Sequence, residues 1–526
     1  MSFNKNAFII TLIVISSFIL KLIILLNSSF TFNSDDAIYA EIARFWTQGK
    51  LNLIFHPTWQ PLFPALSTLF YLLTNNWEVS LRLVSSVAGS LLIIPLFLLI
   101  KKTISNLHAT LFAIYFFFFT PIIEASITPL SDMLSTTLIV SSIIAIFLGL
   151  YQKNHKLFLL GTFFNGLTFL TRSEGVMFFG LTFIYLSLYF LIQLIKKRIL
   201  IKSALANLIL FVAIFLLTIL PYAITTGIQM GQWTLSQKFS AQIQQEHAFK
   251  LNSRGTTWSQ EIVSVKSPNY HSDYFKNGLQ YVAKNIFWLT EWYGQKLAGW
   301  KTVLLNNLPA WGLIFIVLGT FYLIKRSGIW ASGYILFILL TAVFLSIFST
   351  PIWDIRYLLW TLPILIFLFY YGFYATTSVI FKSKINFIFP LIVLFLLPSF
   401  SPKYLINPQE VATNFTRKYY KEEIKEAGIW IKENNQHSNP KIVMRHEGVE
   451  FYADGTTIYL PQNLSYQESI NYAKKNKADF IIIWPDELNS KDGLFVLTDH
   501  RINGFGLKKV YQYPFNDPKI IIYKLI

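Results

Sequence analysis

Asn33-Ser-Asp-Asp-Ala-Ile-Tyr-Ala-Glu-Ile-Ala-Arg-Phe-Trp46 opens on two adjacent carboxylates, Asp35 and Asp36, and then repeats apolar residues Ile38, Ile42 and Phe45 at helical spacing. That pattern describes an amphipathic helix lying along a membrane surface, with Gly49 expected to end it. A second stretch starts at Pro61, a favoured first helical position, and sets Leu62, Leu66, Leu69 and Leu73 along one stripe. Between them lies His56-Pro-Thr-Trp-Gln-Pro-Leu-Phe-Pro64. Just before the acids, residues 7–26 form an apolar run long enough to cross a hydrocarbon core, which needs roughly 20 helical residues. It reads as a retained anchor, because no small-residue cleavage pattern follows it.

Further runs of this kind recur near 81–100, 108–123, 130–150, 157–171, 175–195, 204–226, 303–324, 330–349, 357–380 and 385–400. The expected fold is therefore mainly α, a polytopic bundle of about 11 spans with amphipathic helices in its first outer loop. Composition agrees: 54% of the 526 residues are hydrophobic and 13% are charged. The charges are unevenly placed. Residues 401–526 hold 17 Lys+Arg and 15 Asp+Glu, leaving 27 and 12 to the first 400. The division is thus residues 1–400 in the membrane, with outer loops 27–80 and 227–302, and a small α/β domain at 401–526. In that domain residues 422–434 and 466–476 read as helices, and 441–444, 457–460, 479–484 and 519–523 as strands. His446 and Glu447 read there as surface residues.

Threading the spans alternately puts Lys5, Lys101, Lys102, Lys153, Lys156, Lys196, Lys197, Arg198, Lys202, Lys325, Arg326, Lys382 and Lys384 on one side, with no acid among them. By the positive-inside rule that side is the cytoplasm, so the amino terminus is inside and the last domain outside. The net charge of +17 thus serves topology, and nucleic acid is not an expected partner. With no cysteine, disulfides, thiolate metal sites and a cysteine nucleophile are excluded.

The ionisable residues expected near the outer boundary are few. Asp35 and Asp36 cap a helix on the plain reading, and supply a general base and its partner on the sharper one. Asp132, in Thr128-Pro-Leu-Ser-Asp132, opens the fourth span; Arg172 and Glu174, in Leu170-Thr-Arg-Ser-Glu-Gly175, occupy a tight turn. Arg82 and Arg356 either snorkel or face a pocket. Acids and arginines converging there suit deprotonation of an acceptor and binding of a phosphate.

On these residues, together with Pro61-Leu-Phe-Pro64, Arg82-Leu, Pro129 to Asp132, and Arg356-Tyr357 followed by Leu-Leu-Trp-Thr-Leu-Pro363, the chain resembles the polytopic GT-C glycosyltransferases of the protein mannosyltransferase and aminoarabinose transferase type, family 39-like. The resemblance implies a hexosyl or pentosyl transferase at a bacterial or archaeal plasma membrane. It would take its sugar, with inversion, from a polyprenyl phosphate to a hydroxyl of a protein, lipid or glycan. It transfers the base role to Asp35 or Asp36, with Asp36 slightly favoured, and donor-phosphate binding to Arg82, Arg172 or His56. Asp132, Glu174, Arg356 and Tyr357 are supporting residues. Gln60 departs from the aminoarabinose branch, which has a phosphate-binding lysine before its paired prolines. No cofactor is expected to be required, a divalent metal being the alternative, and no metal ligands are assigned. A lipid-glycan flippase or a non-catalytic membrane assembly protein is the rival class, but the internal repeats expected of a transporter are not seen.

Overall fold

The computed structural model describes residues 5–32, 34–56, 58–230, 301, 304–348, 355–380, 388–435, 438–444, 448–461, 464–485, 488, 492–499 and 506–526. The expected loop at 227–302 therefore lies almost wholly outside the described residues, as do His446 and Glu447.

Helix α1 (Lys5–Leu26) shows how the bundle is built. Phe8, Leu12, Ile15, Ile19, Ile23 and Leu26 form one exposed stripe, while Ser17, Leu20, Lys21, Ile24 and Leu25 turn inward. In a hydrocarbon solvent an exposed apolar stripe costs nothing, so the polar residues take the packed face. Lys21 is buried there, its ammonium donating to Ser17 (2.6 Å) and Ser90 (3.2 Å).

Helices α2 (Asp35–Thr47), α3 (Leu51–Ile54) and α4 (Leu62–Thr74) follow. The α4 stripe faces outward at Leu69 and Leu73, with Phe63, Pro64 and Ser67 buried behind it. Asn76 caps α5 (Trp77–Leu91) by accepting the Val79 N–H, and α6 (Ile93–Thr103) continues the same apolar run. The two separate at Leu92 because Pro95 cannot hydrogen-bond to the carbonyl four residues back.

The single span expected at 108–123 is instead two helices, α7 (Asn106–Phe117) and α8 (Thr120–Ser126). Phe119 between them is extended and bridges to Phe400; Thr120 donates its N–H to Ser399, and Ser401 donates to Phe118. Long α9 (Asp132–Gln152) turns at Asn154 into α10 (His155–Thr171), whose Gly161 lets its backbone approach Ile146. Then come α11 (Gly175–Ile195) and α12 (Ile201–Met230).

The run Gly312–Phe348 bends sharply at Gly328, whose φ of +80° suits glycine. Ser332 there hydrogen-bonds the Leu323 carbonyl, nine residues back, which a straight helix forbids. The corner falls just after Lys325-Arg326, where the sequence places a loop between two spans. The 3₁₀ turn Ile355–Leu358 leads into helix Thr361–Ile380, and helix Ile388–Phe395 is the described helical part of the last expected span.

Among the described residues, seven helical runs are long and apolar enough to cross a membrane by length and composition: Lys5–Leu26, Trp77–Thr103, Asp132–Gln152, Gly175–Ile195, Ile201–Ile228, Gly312–Thr341, which the Gly328 corner divides into two arms, and Thr361–Ile380. The protein is an integral membrane protein. Helix α10, with 17 residues, reaches about 25 Å and so falls just short of the hydrocarbon thickness.

Helix Pro408–Tyr419 still packs Ala412 and Phe415 into the membrane core. Beyond it, helix Glu422–Asn434 and the strands form a separate layer. The sheet order is β2 (Thr456–Tyr459), β1 (Lys441–Met444), β3 (Phe480–Ile483), β5 (Ile520–Leu525), β4 (Leu507–Tyr513). β1 runs parallel to β2 and β3, and β5 antiparallel to β3 and β4. Helix Tyr466–Lys475, started by a Ser465/Glu468 capping box, covers one face, and helix Glu422–Asn434 the other.

Candidate active site

Asp35 and Asp36 occupy the first turn of α2, where two carboxylates suit the positive end of the helix dipole. They diverge at once. Asp36 turns in, only 3% exposed, and its Oδ1 accepts the Ser34 N–H at 2.8 Å. Asp35 turns out, its side chain 28% exposed, and meets Nη2 of Arg356 at 3.2 Å. The 3₁₀ turn before helix Thr361–Ile380 carries that guanidinium, so the pair joins the two ends of the membrane region. Tyr357 follows in the same turn, but its side chain lies outside the described residues.

One turn along α2 from Asp35, Tyr39 points to the start of α9, its hydroxyl 2.8 Å from Ser131 Oγ. The adjacent Asp132 accepts from Arg172 at 2.5 Å, and Arg172 also donates to Glu174 at 3.2 Å. Trp59 and Phe63 stand edge-on against the Tyr39 ring. Burial raises the Tyr39 hydroxyl pKa; Arg172 opposes this, and Asp35 and Asp132 add to it. The aromatic ring thus sits among all three charges. The α10–α11 turn that delivers Arg172 depends on Gly175: a Cβ there would lie 2.4 Å from the Phe169 backbone.

Of the sequence-assigned residues, Asp35, Asp36, Asp132, Arg172, Glu174 and Arg356 gather at one end of the bundle. Two are engaged elsewhere in this structure. Arg82 is 2% exposed, and its donors go to the carbonyls of Ile127 (2.7 Å), Ser28 (2.9 Å) and Leu25 (3.3 Å) and to Ser28 Oγ (2.5 Å). Its flat face covers Phe415. A span that starts beside two helix ends meets unpaired carbonyls, and an arginine fork is the side chain that can satisfy several together. His56 is a hydrogen-bond acceptor in this structure. Its Nδ1 accepts the N–H groups of Thr58 (3.1 Å) and Trp59 (3.3 Å), which requires the neutral ring, and burial pushes its pKa down to about 4.

In the same loop the sequence reading missed Thr58, whose Oγ1 is buried with no hydrogen-bond partner among the described residues. Tyr39 was also missed, although its position four residues after Asp35 is the spacing that puts both on one helix face. Lys21, a charge inside an apolar span, carried its own signal. Among the described residues no three His, Asp or Glu side chains converge as a metal set; Asp35, Asp132 and Glu174 each face a guanidinium instead.

Residues 56–224 match the family profile described as dolichyl-phosphate-mannose-protein mannosyltransferase. The structure of ArnT from Cupriavidus metallidurans bound to undecaprenyl phosphate superposes with a TM-score of 0.59 at 12% identity, over 98% of this chain and 97% of that one. This chain has the GT-C glycosyltransferase fold. Two further GT-C structures come from Archaeoglobus fulgidus. The oligosaccharyltransferase AglB in complex with an inhibitory peptide and a dolichol-phosphate gives a TM-score of 0.56 at 12% identity, over 91% and 69%. The oligosaccharyltransferase tethered with an acceptor peptide containing the NVT sequon gives 0.58 at 11%, over 97% and 73%. A search of curated protein sequences returns no match. The GT-C likeness spans both the membrane region and the sheet domain, and it bears out the resemblance read from the motifs.

Proposed function

We propose that the chain is an inverting glycosyltransferase that moves a sugar from a polyprenyl-phosphate donor to an acceptor hydroxyl at the outer membrane face. The observation that carries this reading is Asp35: a partly exposed carboxylate, 3.2 Å from Arg356, at the end of a GT-C bundle where Asp132, Arg172 and Glu174 also meet. Asp35 takes the acceptor proton as the acceptor oxygen attacks the anomeric carbon. The bond from that carbon to the phosphate oxygen breaks on the opposite side, and its electron pair leaves with the polyprenyl phosphate. Arg356 keeps the base oriented and charged. Arg172, anchored by buried Asp132, offers the phosphate the Nη2 that now rests on the more exposed Glu174. The unpaired hydroxyl of Thr58 suits a phosphate or sugar oxygen. Asp36 serves the helix start, which reverses the slight preference for it read from sequence. Protein, lipid and glycan acceptors, and hexose and pentose donors, all fit this chemistry.

The test is transfer from a radiolabelled lipid-linked sugar, with folding followed separately in detergent. Asp35→Asn should fold, bind polyprenyl phosphate and lose turnover by about 10²- to 10⁴-fold. Near-normal transfer by that variant removes the base assignment, and retained anomeric configuration in the product removes the single displacement.

A further inference from the structure

Asp35 is reached from α1 through a strip of which residues 27–32 are irregular, with backbone that needs partners from elsewhere. The carboxyl-terminal part of the chain supplies them. Ser29 N–H donates to Thr416 Oγ1 (2.9 Å), Thr31 N–H to the Tyr419 carbonyl (3.4 Å), and Lys421 N–H returns to Thr31 Oγ1 (3.2 Å). Phe30 stacks on Tyr419, and Phe32 packs edge-on against Phe451.

The last hold before the acids is different in kind. Phe32 N–H donates to the hydroxyl of Tyr452 at 3.0 Å, and that hydroxyl donates to Glu78 Oε1 at 2.7 Å. Glu78 lies in the first turn of α5 and also accepts from Lys425 at 3.0 Å. A phenol that gives its one proton to a carboxylate presents its lone pair elsewhere, and here it meets the backbone three residues before Asp35. The short helix Val449–Ala453 bearing Tyr452 also grips the far end of α2. Arg44 donates to Asp454 (2.5 Å) and to the Phe451 carbonyl (3.3 Å), and covers the Phe451 ring. One small element of the sheet domain therefore holds both the strip leading into α2 and the far end of that helix.

We propose that Tyr452, with Glu78 as its anchor, is a positioning residue that sets the register of Asp35 through the Phe32 amide, and that the sheet domain thereby tunes the reaction without touching substrate. The inference rests on the reading of Asp35 as the base. Tyr452→Phe keeps the ring and its packing but removes the hydroxyl from both partners. Misplacement of a reacting group by about 1 Å costs up to roughly 10²-fold in rate. The variant should therefore lower kcat by about 10- to 100-fold per folded molecule while leaving polyprenyl-phosphate affinity unchanged. Hydrogen exchange should accelerate at residues 32–36 and not in α9. Glu78→Gln, whose amide oxygen still accepts the phenol proton, should recover most of the turnover that Glu78→Leu loses.

Asp35→Asn measured beside these variants separates the two claims. If it loses turnover while Tyr452→Phe keeps wild-type kcat and exchange, the positioning role is overturned and the base survives. If it transfers normally, the base reading fails whatever Tyr452→Phe does. Failure of both Tyr452→Phe and Glu78→Leu to fold also overturns the inference, because the contacts then serve stability and not geometry.

Discussion

Replacing Arg82 puts the strongest departure from the sequence reading to a quantitative test. Its guanidinium joins the end of α1 (Leu25, Ser28) to the residue after α8 (Ile127) from a position in α5, with four hydrogen bonds and almost no exposure. A hydrogen bond to a charged group contributes about 1.5–3 kcal/mol, but such terms do not add when they share one group. The aromatic face of Phe415 supplies about 0.5–2 kcal/mol more. Arg82→Ala leaves buried carbonyls at two helix ends and should cost about 3–5 kcal/mol, the range for breaking a buried charged network. Arg82→Lys has one ammonium, which cannot bridge Ile127 O and Ser28 Oγ together, and should cost about half as much. Denaturant titration in mixed micelles gives both differences, and equilibrium binding of polyprenyl phosphate gives affinity per folded molecule. Affinity should stay within about twofold of wild type, well under 1 kcal/mol. A lysine variant of unchanged stability whose lipid affinity fell tenfold would refute the structural role and restore Arg82 to the ligand.

Gly175→Ala should destabilise by about 1–3 kcal/mol, since its Cβ meets backbone rather than a movable side chain, and should weaken transfer by shifting Arg172; micellar unfolding and steady-state rates read both. His56 gives a pH signature. Its folded pKa, about 4, lies below its ordinary 6.5, so the unfolded chain binds the proton first. Its contribution to stability is complete above about pH 6.5 and is lost as pH falls towards 4. Unfolding midpoints across that window should vary less steeply for His56→Gln, and parallel slopes for the two proteins would count against a neutral, hydrogen-bonded ring.

Hydrophobic runs were enough to announce a membrane bundle followed by a small sheet, because hydrocarbon solvent penalises every unpaired backbone group and only long apolar helices escape that penalty. The Asp35–Asp36 pair, the Arg172 turn and Arg356 were legible as ionisable groups set at span ends. What pairing each residue adopts was not. Adjacent acids in one helix turn project in different directions, so that Asp36 closes the helix start while Asp35 reaches Arg356, 321 positions away. Arg82 and Arg172 look alike in sequence, each an arginine near a span end. Only packing decides that one fills a ring of carbonyls and the other lies between two acids. The hold of Tyr452 on Phe32 is likewise absent from any local pattern, because it joins segments 420 positions apart whose proximity is fixed by the docking of the sheet domain. Spacing along a chain reports which face of an element a residue occupies; the partner across the gap is set by how the elements pack.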